Sequence, residues 1–232
     1  MRSDFIQGIK HGIPITLGYF PVSFGFGIMA VRMGISPLAA VLISVTNLTS
    51  AGQAAGISVI AAGGTLIEMA LTQLIINLRY ALMGFSLSQK ISEGFTLPHR
   101  LAAAYGITDE IFGVASSQPK KITPHYMYGL ILAGFTGWSL GTLCGSLAGS
   151  TLPTFLTDAL GIMLYGMFLA IILPAARKNI KILFVIITAA VFSTLFKYVF
   201  TAIGDGFAVI ISAVAASALA AIIFPVKEEK EE

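Results

Sequence analysis

Val45-Thr46-Asn47-Leu48-Thr49-Ser50-Ala51-Gly52-Gln53-Ala54-Ala55-Gly56 is the stretch whose reading decides the fold. It lies inside an apolar run, 37–62, long enough at ~1.5 Å per residue to cross a hydrocarbon core of ~30 Å. Yet its middle carries hydroxyls, the amides of Asn47 and Gln53, and the glycines Gly52 and Gly56. Irregular backbone at membrane depth survives only where protein or a water-filled cavity covers it. The run is therefore expected to form two half-helices that meet in the protein interior, not one lipid-facing span. Asn47-Leu48-Thr49 also fits the glycosylation pattern, a reading that such a segment disfavours.

The rest of the chain calls for the same solvent. Of 232 residues, 56% are hydrophobic and 11% charged, with a mean hydropathy of +0.88, whereas soluble domains carry about a quarter charged residues. An all-α membrane protein is expected and a water-soluble domain is excluded. Further apolar stretches run over 13–31, 65–88, 126–148, 155–176, 181–203 and 207–226, which makes seven with 37–62. An eighth, weaker candidate, 101–117, carries Asp109 and Glu110 and reads as re-entrant, tilted or amphipathic. Residues 1–226 thus form a single polytopic transmembrane domain, followed by a solvated charge run at 227–232. With no small-residue cleavage site behind it, the first stretch reads as a membrane helix and not a signal peptide.

The formal net charge is +3, but the basic residues never gather into a nucleic-acid stripe. Arg2, Lys10, Lys90, Arg100, Lys120, Lys121, Arg177, Lys178 and Lys181 fall between apolar stretches, where they act as topology signals. The positive-inside rule assigns them, and both termini, to the cytoplasm. An even number of crossings must then separate Lys10 from Lys90, although three apolar stretches lie between them. One of the three is not a simple span, and 37–62 is the best candidate. Ser23, Gly25 and Pro37 recur as Ser139, Gly141 and Pro153 at a spacing of 116. Such an internal repeat, a common transporter design, divides the chain into halves 1–116 and 117–226 that run parallel under this topology.

Charged groups among apolar ones need a role, because one at the bilayer centre costs about 2.5–3.5 kcal/mol on insertion scales. On a helix over 65–88, Glu68, Thr72 and Arg79 share one stripe while Gln73, Asn77 and Tyr80 fall nearly opposite. A helix polar on both sides is expected to sit centrally. Glu68 and Arg79 lie roughly 16 Å apart by helical rise, too far to pair. Arg79 suits capture of a carboxylate, or a structural ion pair with Asp109 or Glu110, or snorkelling to the interface. Asn47, Gln53, Asn77 and Arg79 are the substrate-binding candidates. Thr49 or Ser50 would cap a half-helix whose positive end faces a substrate carboxylate, with capping or interhelical glue as the equal alternative. Asp109 and Glu110 are candidates for proton or ion coupling, against a solvated acidic pair at the membrane surface.

Gly141, Gly145 and Gly149 recur every fourth residue and permit close helix packing, either internally or against a helix of another subunit, which leaves a homo-oligomer open. Trp138, Tyr126, Tyr128 and Tyr165 read as interfacial anchors or core aromatics, and Lys197 as snorkelling. Cys144 is the only cysteine, so neither a disulfide framework nor a thiolate metal site is available, and no cofactor is expected. The chain has no His-Glu-x-x-His pair, and His11, His99 and His125 flank apolar stretches. An intramembrane enzyme is thereby disfavoured.

Together these strings resemble the large subunits of bacterial branched-chain amino acid exporters, the AzlC-like permeases. The resemblance is carried by Gly18-Tyr19-Phe20-Pro21-Val22-Ser23-Phe24-Gly25-Phe26-Gly27, Ser50-Ala51-Gly52-Gln53, Ile76-Asn77-Leu78-Arg79-Tyr80, Thr108-Asp109-Glu110, and Trp138 with Gly141, Thr142 and Gly145. It implies export of leucine, isoleucine, valine or related apolar amino acids across the bacterial inner membrane, with a small hydrophobic AzlD-like membrane subunit as partner. It also implies that Gln53, Asn77, Arg79, Asp109 and Glu110 belong to shared motifs. Where the family's pattern suggests an acid before Phe168, this chain has Gly161, with Asp158 about one turn away. Family members are often described as permeases of ATP-driven transporters, but this sequence lacks the Gly-x-x-x-x-Gly-Lys-Ser/Thr loop, so ATP use would need another protein. A proton-coupled secondary exporter is the leading expectation, with a channel or a membrane scaffold as the alternative class.

Overall fold

The computed structural model describes residues 2–149, 176–200 and 205–225, together with single positions between them. The expected span 155–176 (but for isolated positions), the Asp158 and Gly161 comparison and the tail 227–232 lie outside the described residues. Among the described residues the regular elements are all helical: α1 (Arg2–Arg32), α2 (Pro37–Thr46), α3 (Ala51–Ala61), α4 (Leu66–Ser88), α5 (Leu97–Tyr105), α6 (Asp109–Ser116), α7 (Pro124–Ala148), α8 (Ile180–Tyr198) and α9 (Asp205–Ile223). Of these, α1, α4, α7 and α8 are long and apolar enough to cross a membrane. The chain divides into two compact units, one of Met1–Ile57 and Ile76–Tyr165, the other of Ser58–Ile75 and Gly166–Glu232.

The first unit is organised by a seam of small residues between α1 and α7. In α1, Gly8, Gly12, Ile15, Tyr19, Val22, Phe26 and Ala30 are buried, an i, i+3/i+4 stripe that covers one face. A Cβ on Gly8 would overlap the Tyr126 carbonyl, one on Gly137 would stand 2.6 Å from Thr16 O, and one on Gly27 would stand 2.6 Å from Ser146 N. Rising residue numbers on α1 meet rising numbers on α7, so the two helices run parallel. Only side chains this small let the backbones approach so closely, and in lipid such packing replaces the absent hydrophobic drive. The stripe Gly141, Gly145 and Gly149 lies against Phe20, Phe24 and Ile28. Its packing is internal, and that face is closed to a helix from another subunit.

The interruption in 37–62 falls at Asn47–Ser50, between α2 and α3, where Ser50 takes a left-handed φ of 31°. Ser36 caps α2 by accepting from Ala39 N at 3.2 Å, with Pro37 at the first helical position, a start signal that fixes where the half-helix begins. Gln53 then reaches back to Ser44, and Ile57 joins Phe26, Ala30 and Ala40 in one buried cluster. A helix running straight through would hold Ile57 and Ala40 roughly 25 Å apart. The chain instead doubles back: α2 leads in from the Arg32 end of α1, and α3 leads out toward the same layer.

The eighth candidate, 101–117, likewise contains no span. It is part of a second hairpin, α5 and α6, broken at Gly106-Ile107-Thr108. This hairpin starts from the other end, where Lys90 Nζ holds the Ser116 carbonyl, Ile91 and Ile122 form a parallel bridge, and Thr123 donates to Asp4 at 3.0 Å. His99 meets Tyr128 near the start of α7, and Gly106 and Thr108 reach Ile131 and Tyr19 further along. Two helical hairpins thus enter the unit from opposite ends. Arg2, Lys10, Lys90, Lys120 and Lys121 lie toward one end of the unit.

Helix α4 departs from expectation. Ile67, Leu71, Leu74, Leu78, Leu82 and Phe85 are exposed along one stripe, while Glu68 and Thr72 are buried. The helix is one-sided, not enclosed all round. Part of the reason is local satisfaction: Gln73 reaches Met69 Sδ on its own helix, and Tyr80 OH receives Arg79.

In the second unit, α8 and α9 pack antiparallel, with Phe184 near the start of α8 edge-on to Phe224 just past α9. The turn before α4 uses Gly63 at φ 68°, a conformation that disfavours other residues, and Thr65 Oγ1 accepts from Glu68 N at 3.1 Å.

Candidate functional site

The two hairpin tips converge beside the middle of α7. Tyr105, the last residue of α5, donates through its hydroxyl to the carbonyl of Val45, near the end of α2. Around this junction lie two polar layers one helical turn apart, since Tyr19 and Ser23 are i, i+4 on α1, as Trp138 and Thr142 are on α7.

In the first layer, Thr108 is the N-cap of α6 and accepts from Ile111 N at 3.3 Å. Asp109 and Glu110 follow in the first turn, where the positive end of the helix favours negative charge. Neighbouring helices hold the two acids separately. Glu110 accepts from Tyr19 OH at 2.5 Å, and Tyr19 also lies 2.5 Å from Thr108 Oγ1. Asp109 pairs with Arg79 at 2.6 Å, the two side chains being 31% and 40% exposed. Arg79 in turn donates to Tyr80 OH at 3.3 Å and lies 5.1 Å from that ring's centroid. Trp138 stands edge-on to Tyr19 at 5.4 Å, which fixes the phenol facing the α6 tip.

In the second layer, Gln53 Nε2 donates to Ser44 Oγ at 2.9 Å, and Ser44 Oγ lies 2.7 Å from Thr142 Oγ1. All three are buried, Gln53 to 1% exposure. This relay ties α3, α2 and α7 together, with each bond of this kind contributing about 0.5–1.5 kcal/mol. It leaves Gln53 Oε1 buried without a hydrogen-bond partner, as are Thr49 Oγ1, Trp138 Nε1 and Arg79 Nε. An unsatisfied buried group costs about 1–3 kcal/mol, so these atoms mark where a polar group could be received.

The sequence-derived candidates therefore divide. Arg79, Asp109 and Glu110 come together in one layer, and Gln53 lies in the next. Asn47 closes α2 as its C-cap, at the tip itself, and Asn77 lies half-buried on α4 two residues before Arg79. The expected capping by Thr49 is not made by its hydroxyl, which has no partner. Ser44, Tyr19, Thr108 and Trp138 join the two layers although none is a site candidate on sequence alone. The signal for Thr108 was present, since Gly106 followed by Thr-Asp-Glu reads as a helix stop and a new N-cap.

A family model described as AzlC protein matches residues 14–152. The inner membrane protein YgaZ of Escherichia coli strain K12 is 31% identical over 185 residues, covering 76% of this chain and 75% of that protein. An uncharacterized membrane protein of Archaeoglobus fulgidus is 32% identical over 172 residues, 73% of this chain and 75% of its own length. One of Helicobacter pylori strain J99 is 26% identical over 184 residues, 76% of this chain and 79% of its own. No solved structure matches the chain at a significant level.

Proposed function

The chain belongs to the AzlC family of membrane proteins, and we propose that it is a secondary transporter that exports branched-chain or related apolar amino acids by exchange with protons. The observation that carries this reading is the meeting of two opposed helical hairpins, through Tyr105 and Val45, beside an ion pair and buried unpaired polar atoms. Broken helices around a midplane site are the arrangement by which many transporters open to one side at a time. Each hairpin is a compact element that shifts against the rigid α1–α7 pair.

The residues at the α6 tip supply chemistry for exchange. Arg79 presents an unpaired Nε–H to a substrate carboxylate, which its planar fork suits. Asp109 and Glu110 attract either a proton or the substrate's ammonium. Because one carboxylate cannot hold both, the two compete, and that competition is the requirement for antiport. Asn47, Gln53 and Asn77 complete the polar lining, and the substrate's side chain packs on neighbouring apolar surface. In this proposal the Lys-rich end faces the cytoplasm by the positive-inside rule, with the tail 227–232 on the same side. The membrane is the bacterial inner membrane, as in the name of the Escherichia coli relative. A small hydrophobic membrane subunit acts as partner.

The test is efflux of labelled leucine from proteoliposomes under an imposed pH gradient, with and without that subunit. Saturable, stereoselective efflux driven by the gradient is expected. Efflux equal to that from protein-free liposomes would sink the reading, and efflux without saturation or stereoselectivity would make the protein a channel.

A further inference from the structure

A cavity of about 230 Å³ lies in the first unit between the end of α4, α5 and the start of α7. Gly84 and Leu87 wall it from α4, Ala103 and Ala104 from α5, and Ile107 closes its inner end. Its surface is almost wholly apolar, but Arg100 lines it beside Phe95 and Ile91, near the Lys-rich end. The cavity is smaller than the roughly 300–1,000 Å³ of pockets for drug-sized ligands, which suits a solute of few heavy atoms.

Its two ends give it direction. Ile107 belongs to the α5–α6 tip and directly precedes Thr108 and Asp109. Tyr80, which receives Arg79, lies one turn before Gly84 on the same face of α4. Gly84 itself is five residues from Arg79, roughly 7.5 Å by helical rise. The apolar cavity therefore extends from beside Arg100 to within about a turn and a half of the Arg79–Asp109 pair. Small apolar walls, with Arg100 at one end donating through Nε to the Phe95 carbonyl at 3.1 Å, match a solute with a compact apolar body.

We propose that this cavity is the access vestibule of the transport route, and that Gly84, Ala103 and Ala104 set the width of the solute that passes. The inference rests on the transport reading above and adds to it a route and its size-determining residues. A Cβ on Gly84 would stand 3.9 Å from Ile107 Cδ1, an ordinary contact, so alanine fits there whereas leucine fills the passage.

Two measurements on the full chain test this. In proteoliposomes, Gly84→Leu slows leucine efflux by about tenfold or more, and slows alanine less, as expected when methylenes crowd an apolar pocket. If Gly84→Leu fails to fold, as judged by size-exclusion chromatography, Ala104→Leu at an exposed position replaces it. Separately, in a Cys144→Ala background, Ile107→Cys is expected to react with a charged methanethiosulfonate from the side at which Lys120→Cys reacts, and adding Gly84→Leu slows that reaction. Absence of reaction at Ile107→Cys from that side would overturn the vestibule and leave the cavity to a lipid tail, as would Gly84→Leu and Ala104→Leu proteins that both react and transport like the parent. If the parent protein moves neither alanine nor leucine, the transport reading fails, whereas the thiol reaction still decides the route.

Discussion

The Tyr105 hydroxyl donates to the carbonyl of Val45, so one side chain joins the tip of a hairpin that enters from the Lys-rich end to the tip of one that enters from the opposite end. Val45 precedes the last residue of α2, where helix carbonyls lack intrahelical partners. The bond satisfies one of them.

Tyr105→Phe removes this link without changing shape. Thermal unfolding of the purified protein should show a loss of about 0.5–1.5 kcal/mol, the usual net contribution of such a bond. Transport should fall as well, because in the proposed mechanism the seam between the two hairpins alternates. Unaltered transport in a folded Tyr105→Phe protein would show that the seam is inert.

The glycines of the α1–α7 seam should prove far less replaceable than those outside it. A Cβ at Gly145 would overlap the Phe24 carbonyl and stand 2.8 Å from Phe24 Cα, whereas at Gly18 it meets nothing within 4 Å. Gly145→Ala is expected to cost about 1–3 kcal/mol by overpacking. Gly18→Ala should be neutral or stabilise by roughly 0.5–1 kcal/mol, as alanine does in a helix. Equal unfolding temperatures for the two variants would contradict the parallel packing.

Arg79 and Asp109 are expected to act as a unit. Arg79→Gln and Asp109→Asn should each lower leucine transport by an order of magnitude, and the double variant should be little worse than either single one, as for residues in direct contact. Losses that multiply in the double variant would assign the two residues independent roles.

Gln53 separates binding from structural glue. Gln53→Leu removes the bond to Ser44 together with the unpaired Oε1, so stability should shift by no more than about 1 kcal/mol. Transport should nevertheless fall by an order of magnitude. A folded Gln53→Leu protein with normal transport would reduce Gln53 to a link between α2 and α3.

Several features of the site were legible in the chain. The polar interruption at Asn47–Gly56 announced a break, because backbone groups freed at membrane depth must be covered. Arg79 paired with Asp109 was one of three fates open to it. What stayed hidden was company: Ser44, Tyr19 and Trp138 look like ordinary residues of apolar helices, and their role comes from neighbours distant in sequence. The central placement expected of α4 failed for a related reason, since some of its polar side chains find partners on their own helix.

By itself the sequence determined that this chain is an all-helical membrane protein and that 37–62 is interrupted. These follow from transfer energies and backbone satisfaction, which depend on composition and short-range order. The tertiary structure decided that the interrupted run turns back, that 101–117 contributes to a second, opposed hairpin, and that the glycine stripe of α7 receives α1. Those outcomes depend on which surfaces fit within a few tenths of an ångström, a property of residues far apart in the chain.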